Sequence, residues 1–582
     1  MKNTEPGITA PGDQGENRTK SPTEDGRAGL SRWLPLAAVA LCLAVAVGYC
    51  VAKRGYFVDE VWSYGYANSH YARVLSDTRG GDLAGATLTR RDLLDYVSVG
   101  EGERMDVGSV LHNQAPDLHP PLFGLALNAA SSLAPGTWSK WAGLGLNLAC
   151  HAVALVALWA LLRELGCSPA ASACGVALWG LSRAGLSDVL YIRMYEMLTA
   201  LTVLLALELA ALMRRGASGG ARRLLPAAVG ATVFLGLMTQ YYFAIYAFLA
   251  CLAAGTHLLR RRRLAEAGAL AACALAGVGL FLLAWPAALT NLPAGRNPSI
   301  AMSGEGALYA LLNVPAWPER LSTFGKMVIQ ALPAVILVWL LSVWGTIRSK
   351  RETHTEDSAF EDTLLTSHIR SIILPAFLYL LIIALIALFE EPRFIYNVCP
   401  LISAAAAVSL DAWFRSMPQE TRSRQIKVVI GALTAVLLIF AIFYKPAYLG
   451  EEAYAQQEAV VPYAADPCVY IVGRGKTTDS ANLSITADVP QLLEFEDVHV
   501  ETDPASAGIA TYLASKGDPD EIVLYVDTVT YLNHVNYGGT ASLDSEAISD
   551  LVAKRLGYSR KTLIERVGSD APVLSEAYLL RR

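Results

Sequence analysis

The sequence predicts an α-helical polytopic membrane protein with a small α/β domain at its C-terminal end, and three observations carry that prediction. Of 582 residues, 53% are hydrophobic and 17% charged, against about 25% charged in an ordinary soluble domain. Apolar runs of near membrane-spanning length recur between residues 33 and 445, and a strongly acidic stretch follows them. Arginines gather in alternate loops between the runs. This composition excludes a cytosolic enzyme, a nucleic-acid binder and a disordered scaffold. A net charge of −5 implies no polyanionic partner. The nine cysteines form neither a CxxC pair nor a disulfide framework, and eight lie in or beside apolar segments.

Taken in order, residues 1–32 are polar, rich in Gly, Thr and Pro, and read as a disordered cytoplasmic tail. The run 33–52 is too long and lacks the cleavage site of a signal peptide, so it reads as a retained first span. A long polar-to-amphipathic first loop covers 53–137. Further apolar runs lie near 138–162, 170–184, 194–213, 224–239, 242–259, 264–289, 326–347, 371–389, 394–414 and 428–445, about eleven spans in all. The piece 121–134 reads as re-entrant or interfacial. Four loops carry the basic clusters: Arg214, Arg215, Arg222 and Arg223; Arg260, Arg261, Arg262 and Arg263; Arg348, Lys350, Arg351 and Arg370; Arg415, Arg422, Arg424 and Lys427. With the amino terminus inside, all four are cytoplasmic, and a twelfth span at 121–134 would reverse the later ones. Lys53 and Arg54 fall outside as a mild exception. Residues 446–582, with 21 acidic residues against 10 Lys plus Arg, become an extracytoplasmic α/β domain. Its strand signals are 469–472 and 522–526, and its helix signal runs from Asp544 to Leu556, with Asp544 as a cap.

Four constellations could carry chemistry. Asp59 and Glu60, in Phe57-Val58-Asp59-Glu60-Val61-Trp62, are adjacent carboxylates just past the first span; mutual repulsion favours proton affinity in one, the property of a general base. Solvated loop carboxylates would look the same. Asp117 and His119, in Asp117-Leu118-His119-Pro120-Pro121-Leu122, face one side of an extended chain; they could flank a polar substrate, hold a metal or form an ordinary turn. Asp188, Arg193, Tyr195 and Glu196 straddle the top of the fourth span. A guanidinium there could grip a phosphate, or Arg193 could pair with Glu196 along one helix face. Arg393, in Glu390-Glu391-Pro392-Arg393-Phe394-Ile395-Tyr396, is a second candidate phosphate ligand, or an ion-pair partner of the adjacent glutamates. Tyr241 and Tyr242 read as interfacial-belt aromatics that could also line a lipid groove. His151 and His257 read as packed or interfacial.

These pieces, in this order, resemble the GT-C class of membrane glycosyltransferases. The pieces are the first span, Asp59-Glu60, His119-Pro120-Pro121-Leu122, "SKWAGLGLN" (139–147), "YIRMYEMLTAL" (191–201), "TQYYFAIY" (239–246) and "EPRFIYNVCPL" (391–401). The similarity is to the bacterial branch related to protein O-mannosyltransferases and ArnT (glycosyltransferase family 39-like), and it covers residues 33–445. It implies a GT-C transmembrane catalytic domain that moves a hexosyl or mannosyl-type sugar. The donor is polyprenyl-phosphate-linked, and the acceptor is a hydroxyl on a protein, lipid or wall polymer at the outer face of the plasma membrane. Residue by residue, the resemblance makes Asp59 the catalytic base with Glu60 completing the pair. Arg193, Tyr195 and Arg393 become donor-phosphate ligands, and His119 matches the family's HPPL histidine; from the residues themselves, Asp117, His119 and Asp188 could form an acceptor or metal site, with Asp59 as a further metal ligand. A divalent metal ion is an optional cofactor. Many relatives carry an acid two positions before the first arginine; here that position is Tyr191, and Asp188 is the nearest substitute.

The competing reading is a polytopic transporter or lipid flippase. It predicts internal repeats and helices broken at the bilayer midplane. The charged constellations stand instead at the outer ends of helices, and there is no nucleotide-binding glycine motif.

Overall fold

The computed structural model describes residues 33–117, 119–214, 220–291, 310–353, 367–387, 391–472, 484–528, 545–567 and 574–582; the tail expected at 1–32 lies outside them. Every expected apolar run is helical: Leu34–Ala52, Lys140–Glu164, Pro169–Gly180, Tyr195–Met213, Gly220–Leu237, Phe243–Arg260, Leu264–Ala284, Pro333–Thr353, Ser367–Ile386, Cys399–Ser416 and Gln419–Phe443. Among the described residues seven helices are long and apolar enough to cross a membrane, and one bent pair makes eight. The other expected runs form helices that are shorter or broken. Pro169–Gly180 has 12 residues, a rise of about 18 Å against a hydrocarbon core of about 30 Å. The run 326–347 is broken: Val314–Ala331 meets Pro333–Arg348 at 89°. Pro333 offers no N–H and forces Leu332 out of the helical region. Leu122–Ser131, of 10 residues, is too short to span, in keeping with its expected re-entrant or interfacial character.

The helices divide into a centre and a rim. Windows in Tyr195–Met213 and Tyr396–Ser416 are 78% and 94% buried, whereas those in Leu264–Ala284 and Gln419–Phe443 are 22% and 17% buried. Side chains such as Leu275, Leu283, Ile442 and Phe443 stay uncovered by protein on the rim, where only lipid suits them. The central helices close only because small residues permit it. A Cβ on Gly143 would fall 2.1 Å from Ile192 Cγ2, so glycine lets the 191–193 segment lie against Lys140–Glu164.

The first loop folds into the expected amphipathic helices, Val58–Asn68, Arg90–Val97 and Val107–Gln114. Arg90–Val97 starts on a capping box in which Thr89 and Asp92 exchange side-chain-to-backbone bonds. Asp106 caps Val107–Gln114 by accepting from the Ser109 N–H.

The C-terminal sheet has six strands, β1 (Thr87–Thr89), β2 (Cys468–Ile471), β3 (Asp497–Glu501), β4 (Glu521–Asp527), β5 (Arg560–Val567) and β6 (Ser575–Arg581), in the order β1-β3-β2-β4-β6-β5. β2 runs parallel to β3 and β4; the other pairs are antiparallel. β2 and the middle of β4 are apolar on both faces, as a doubly covered sheet requires, whereas β3 alternates Val498 and Val500 with Asp497, His499 and Glu501. Val469, Ile471, Leu524 and Val526 pack on Ala507–Ser515 and Ser545–Leu556. Cys468, Tyr470, Val523 and Tyr525 join the core that continues into the bundle. β1 comes from the first loop, and its Thr87 and Thr89 stand opposite His499 and Asp497. The sheet therefore straddles the boundary expected at 445/446. The expected cap Asp544 lies outside the described residues; the helix begins at Ser545.

Candidate active site

The site is assembled where the first loop meets the segment between Arg183–Leu190 and Tyr195–Met213. Glu60 is the anchor. Its carboxylate, fully buried, lies 3.0 Å from Lys53 Nζ and accepts the Ile192 and Phe57 N–H groups at 2.8 Å each. Burial pushes the Glu60 carboxyl up even against Lys53 and those two N–H bonds. From the other side Asn147 Nδ2 donates to Val189 O at 3.0 Å and Tyr191 O at 2.6 Å. The "SKWAGLGLN" stretch thus supplies Gly143 for space and Asn147 for fixation. Lys53, the exception to the charge rule, is a buried partner of Glu60 rather than a topology signal.

With Glu60 turned into the scaffold, Asp59 faces the opposite way. Its Oδ2 receives Arg393 Nη1 at 2.6 Å and the Tyr191 hydroxyl. Arg393 Nη1 also donates to the Tyr191 oxygen at 2.5 Å. Arg193 Nη1 reaches Asp59 O and Ser63 Oγ, both at 3.3 Å. Burial pushes the Asp59 carboxyl up, but Arg193, Arg393 and the Tyr191 hydroxyl together overcome it and hold the group below the usual carboxylate range. Arg193 is 8% exposed, and the Nε of each arginine is buried without a hydrogen-bond partner. The Tyr195 ring lies parallel to that of Tyr191 at 5.7 Å, and Phe394 meets Tyr195 and Tyr242 edge-on.

Asp117 and His119 bond each other, His119 Nδ1 to Asp117 Oδ2 at 3.0 Å. They stand near enough for His119 to act on Asp59 and Asp117 on Arg193. Leu118 between them lies outside the described residues, as does Glu390. Asp188 does not join the site. It is fully buried, accepts from Thr199 Oγ1 at 2.7 Å and adjoins Glu196, whose Oε1 is 3.1 Å from His151 Nδ1. The expected pairing of Arg193 with Glu196 gives way to this arrangement. Among the described residues no group of three His, Cys, Asp or Glu side chains converges as a metal site, so Asp59, Asp117, His119 and Asp188 do not form a shared donor set. Tyr241 and Tyr242 are only 8% exposed and pack inward rather than forming an interfacial belt. Sequence reasoning missed Lys53, Ser63, Asn147 and Tyr448; the polar Asn147 within an apolar run was the one local signal.

A polytopic helical protein with an acid–arginine site at its helix ends is the class that fold and site define. Residues 326–454 match the Alg9-like mannosyltransferase family, which bears out the expected enzyme class, a glycosyltransferase. The chain is also similar in structure to ArnT from Cupriavidus metallidurans, solved bound to undecaprenyl phosphate. Identity is 12%, coverage 94% of this chain and 97% of that one, and TM-score 0.47. For the same protein in the apo state the values are 13%, 96%, 98% and 0.46. The archaeal oligosaccharyltransferase AglB from Archaeoglobus fulgidus, solved with an inhibitory peptide and a dolichol-phosphate, is similar at 10% identity, 85% and 69% coverage and TM-score 0.41. No curated protein matches the sequence.

Proposed function

We propose that the protein transfers a sugar from a polyprenyl-phosphate-linked donor to a hydroxyl acceptor at the outer face of the membrane, with Asp59 as general base. One observation carries the reading. Two guanidinium groups converge on Asp59, Arg393 on its carboxylate and Arg193 on its backbone carbonyl, and each keeps a buried Nε–H with no partner. A buried donor without an acceptor is costly, and a phosphate would satisfy both. The family match over 326–454, which includes Arg393, and the resemblance across 33–445 support the same chemistry.

In this mechanism Asp59 takes the proton of the acceptor hydroxyl as its oxygen attacks the anomeric carbon. The bond from that carbon to the phosphate oxygen breaks, and the polyprenyl phosphate leaves with the electron pair. Arg193 and Arg393 stabilise the departing charge. A phosphate drawing Arg393 off Asp59 Oδ2 also makes that oxygen more basic as the donor arrives. Glu60 has a scaffold role, and Asp117 with His119 borders the acceptor side. The arginine loops on the opposite helix ends support an inside amino terminus and an outward site.

The test uses purified protein in lipid nanodiscs with a polyprenyl-phosphate-linked hexose and a hydroxyl acceptor, followed by mass spectrometry. A covalent sugar–acceptor product is expected. Lipid translocation with no such product would favour the transporter or flippase reading.

A further inference from the structure

The segment leaving the last span returns over the site through an unusual backbone. Tyr448 has φ of +64°, the left-handed region that bulky side chains rarely enter and that persists only when the surroundings impose it. Here they do. Lys53 Nζ donates to Tyr448 O at 2.6 Å, and the Arg54 N–H donates to Leu449 O at 3.1 Å. Gly450, with φ of +71°, lies so close to Gly55 that a Cβ would fall 2.3 Å from Gly55 O. The first loop and the exit segment are therefore locked backbone to backbone. The locked turn lays the Tyr448 ring on that of Tyr191, 4.0 Å between centroids and 12° from parallel. Phe57 closes on both rings edge-on, at 5.8 and 5.6 Å.

We propose that Tyr448 is a positioning residue for the proton-accepting carboxylate: its ring fixes Tyr191 so that the Tyr191 hydroxyl stays on Asp59, and the left-handed turn latches the C-terminal unit to the site. The inference rests on the reading of Asp59 as the base. Tyr191 suits the task. Burial and the Asp59 charge push its phenol well above the usual range, so it stays protonated and donates to Asp59 while accepting from Arg393. Among the described residues the titratable and charged groups facing Asp59 are Arg193, Arg393, Tyr191, His119 and Tyr195. Tyr448 is not among these groups; its ring stacks on Tyr191, so a loosened Tyr191 withdraws a neutral donor that favours the ionised carboxylate.

The test combines two readouts on full-length protein in nanodiscs. Infrared difference spectroscopy follows protonation of the Asp59 carboxyl, identified by its loss in Asp59→Asn, and a pH–rate profile follows transfer. Tyr448→Phe is expected to overlay wild type. Tyr448→Ala and Tyr191→Phe are both expected to move the Asp59 titration to higher pH. Each lowers kcat by roughly tenfold, because lost positioning of the carboxylate outweighs its greater basicity, with KM unchanged. Tyr448→Gly relieves the backbone but lacks the ring, so it behaves as Tyr448→Ala does and carries the comparison if that variant fails to fold. The double variant Tyr191→Phe/Tyr448→Ala moves no further than Tyr191→Phe alone. A ringless variant that titrates as wild type, or shifts that add in the double variant, overturns the proposal. If wild type transfers no sugar, the functional reading falls, and the carboxyl titration still decides the role of Tyr448.

Discussion

Two buried aspartates flank the same short segment, and their surroundings are opposite. Asp59 meets Arg393, Arg193 and the Tyr191 hydroxyl. Asp188 meets Thr199 and lies beside Glu196, itself bonded to His151. Burial acts on both carboxyls in the same direction. Cations reverse it at Asp59. At Asp188 burial and the adjoining Glu196 raise the group well above its usual value. The sequence offers both as acids near Arg193; only the company each keeps decides which can serve as a base at neutral pH.

The comparison breaks first at Asp59. Asp59→Asn keeps the shape and removes the proposed base, so transfer should fall by about 10²–10⁴ while the protein folds and still binds the lipid-linked donor. Steady-state transfer and a donor-binding assay check this together; full transfer by the variant would remove Asp59 from the mechanism. Glu60 should fail differently. Glu60→Ala leaves Lys53 buried without its carboxylate, a loss of about 3–5 kcal/mol for a broken buried pair. Thermal unfolding should show it as a large drop in midpoint, with donor affinity of the folded fraction the lesser effect.

A smaller effect is expected at Arg393. Arg393→Ala removes one proposed phosphate ligand and one of the cations that depress Asp59. Donor affinity should weaken by roughly tenfold or more, the scale of one charge-assisted hydrogen bond. The pH dependence has a definite sign. Wild-type Asp59 is ionised down to below the ordinary carboxylate value, so transfer is present at neutral pH and is lost only as pH falls through that depressed value. Without Arg393 the folded value rises, and the acid limb of the pH–rate profile should move to higher pH. An unmoved limb would mean that Arg193 and Tyr191 alone set the Asp59 charge.

The parts of this arrangement differ in how visible they are in the sequence. The apolar runs are long and periodic enough to give the helical bundle, and the order of Asp59-Glu60, His119-Pro120-Pro121, Arg193 and Arg393 gives the site before any contact is known. The break at Pro333 was legible too, since the proline sits inside the run 326–347, but that run reads as one span when only hydropathy is weighed. What the sequence hides is long range. Lys53 meets Tyr448 across 395 positions, and no local pattern reports it. β1 has three residues, too few for a strand signal, and becomes a strand only because β3 offers an edge. Glu60 and Asp59 are adjacent, so periodicity cannot tell which turns to Lys53 and which to Arg393. Asp188 stands three positions before Tyr191, but the helix Arg183–Leu190 turns it inward to Thr199 while the extended Tyr191 points to Asp59.

The mildest change should be Asp188→Asn, and it sharpens the comparison because it is the same substitution made at Asp59. Burial and the adjoining Glu196 favour the neutral form of this carboxyl, so exchanging it for an amide should remove little charge. The amide keeps an oxygen able to accept from Thr199 Oγ1, which now lies at 2.7 Å. Its NH₂ offers a donor toward Glu196, as the protonated acid did. No cation among the residues named at the Asp188 cluster is left without a partner, in contrast to Lys53 after Glu60→Ala. A buried swap that preserves shape and hydrogen bonding leaves no polar group unpaired, so Asp188→Asn should cost about 1 kcal/mol or less, with transfer close to wild type. Thermal unfolding and the transfer assay, run beside Asp59→Asn, provide the measurement. A loss approaching that of Asp59→Asn would show that Asp188 carries a charge in the working enzyme, and the acid at 188 would then have to be counted with Asp59 in the mechanism.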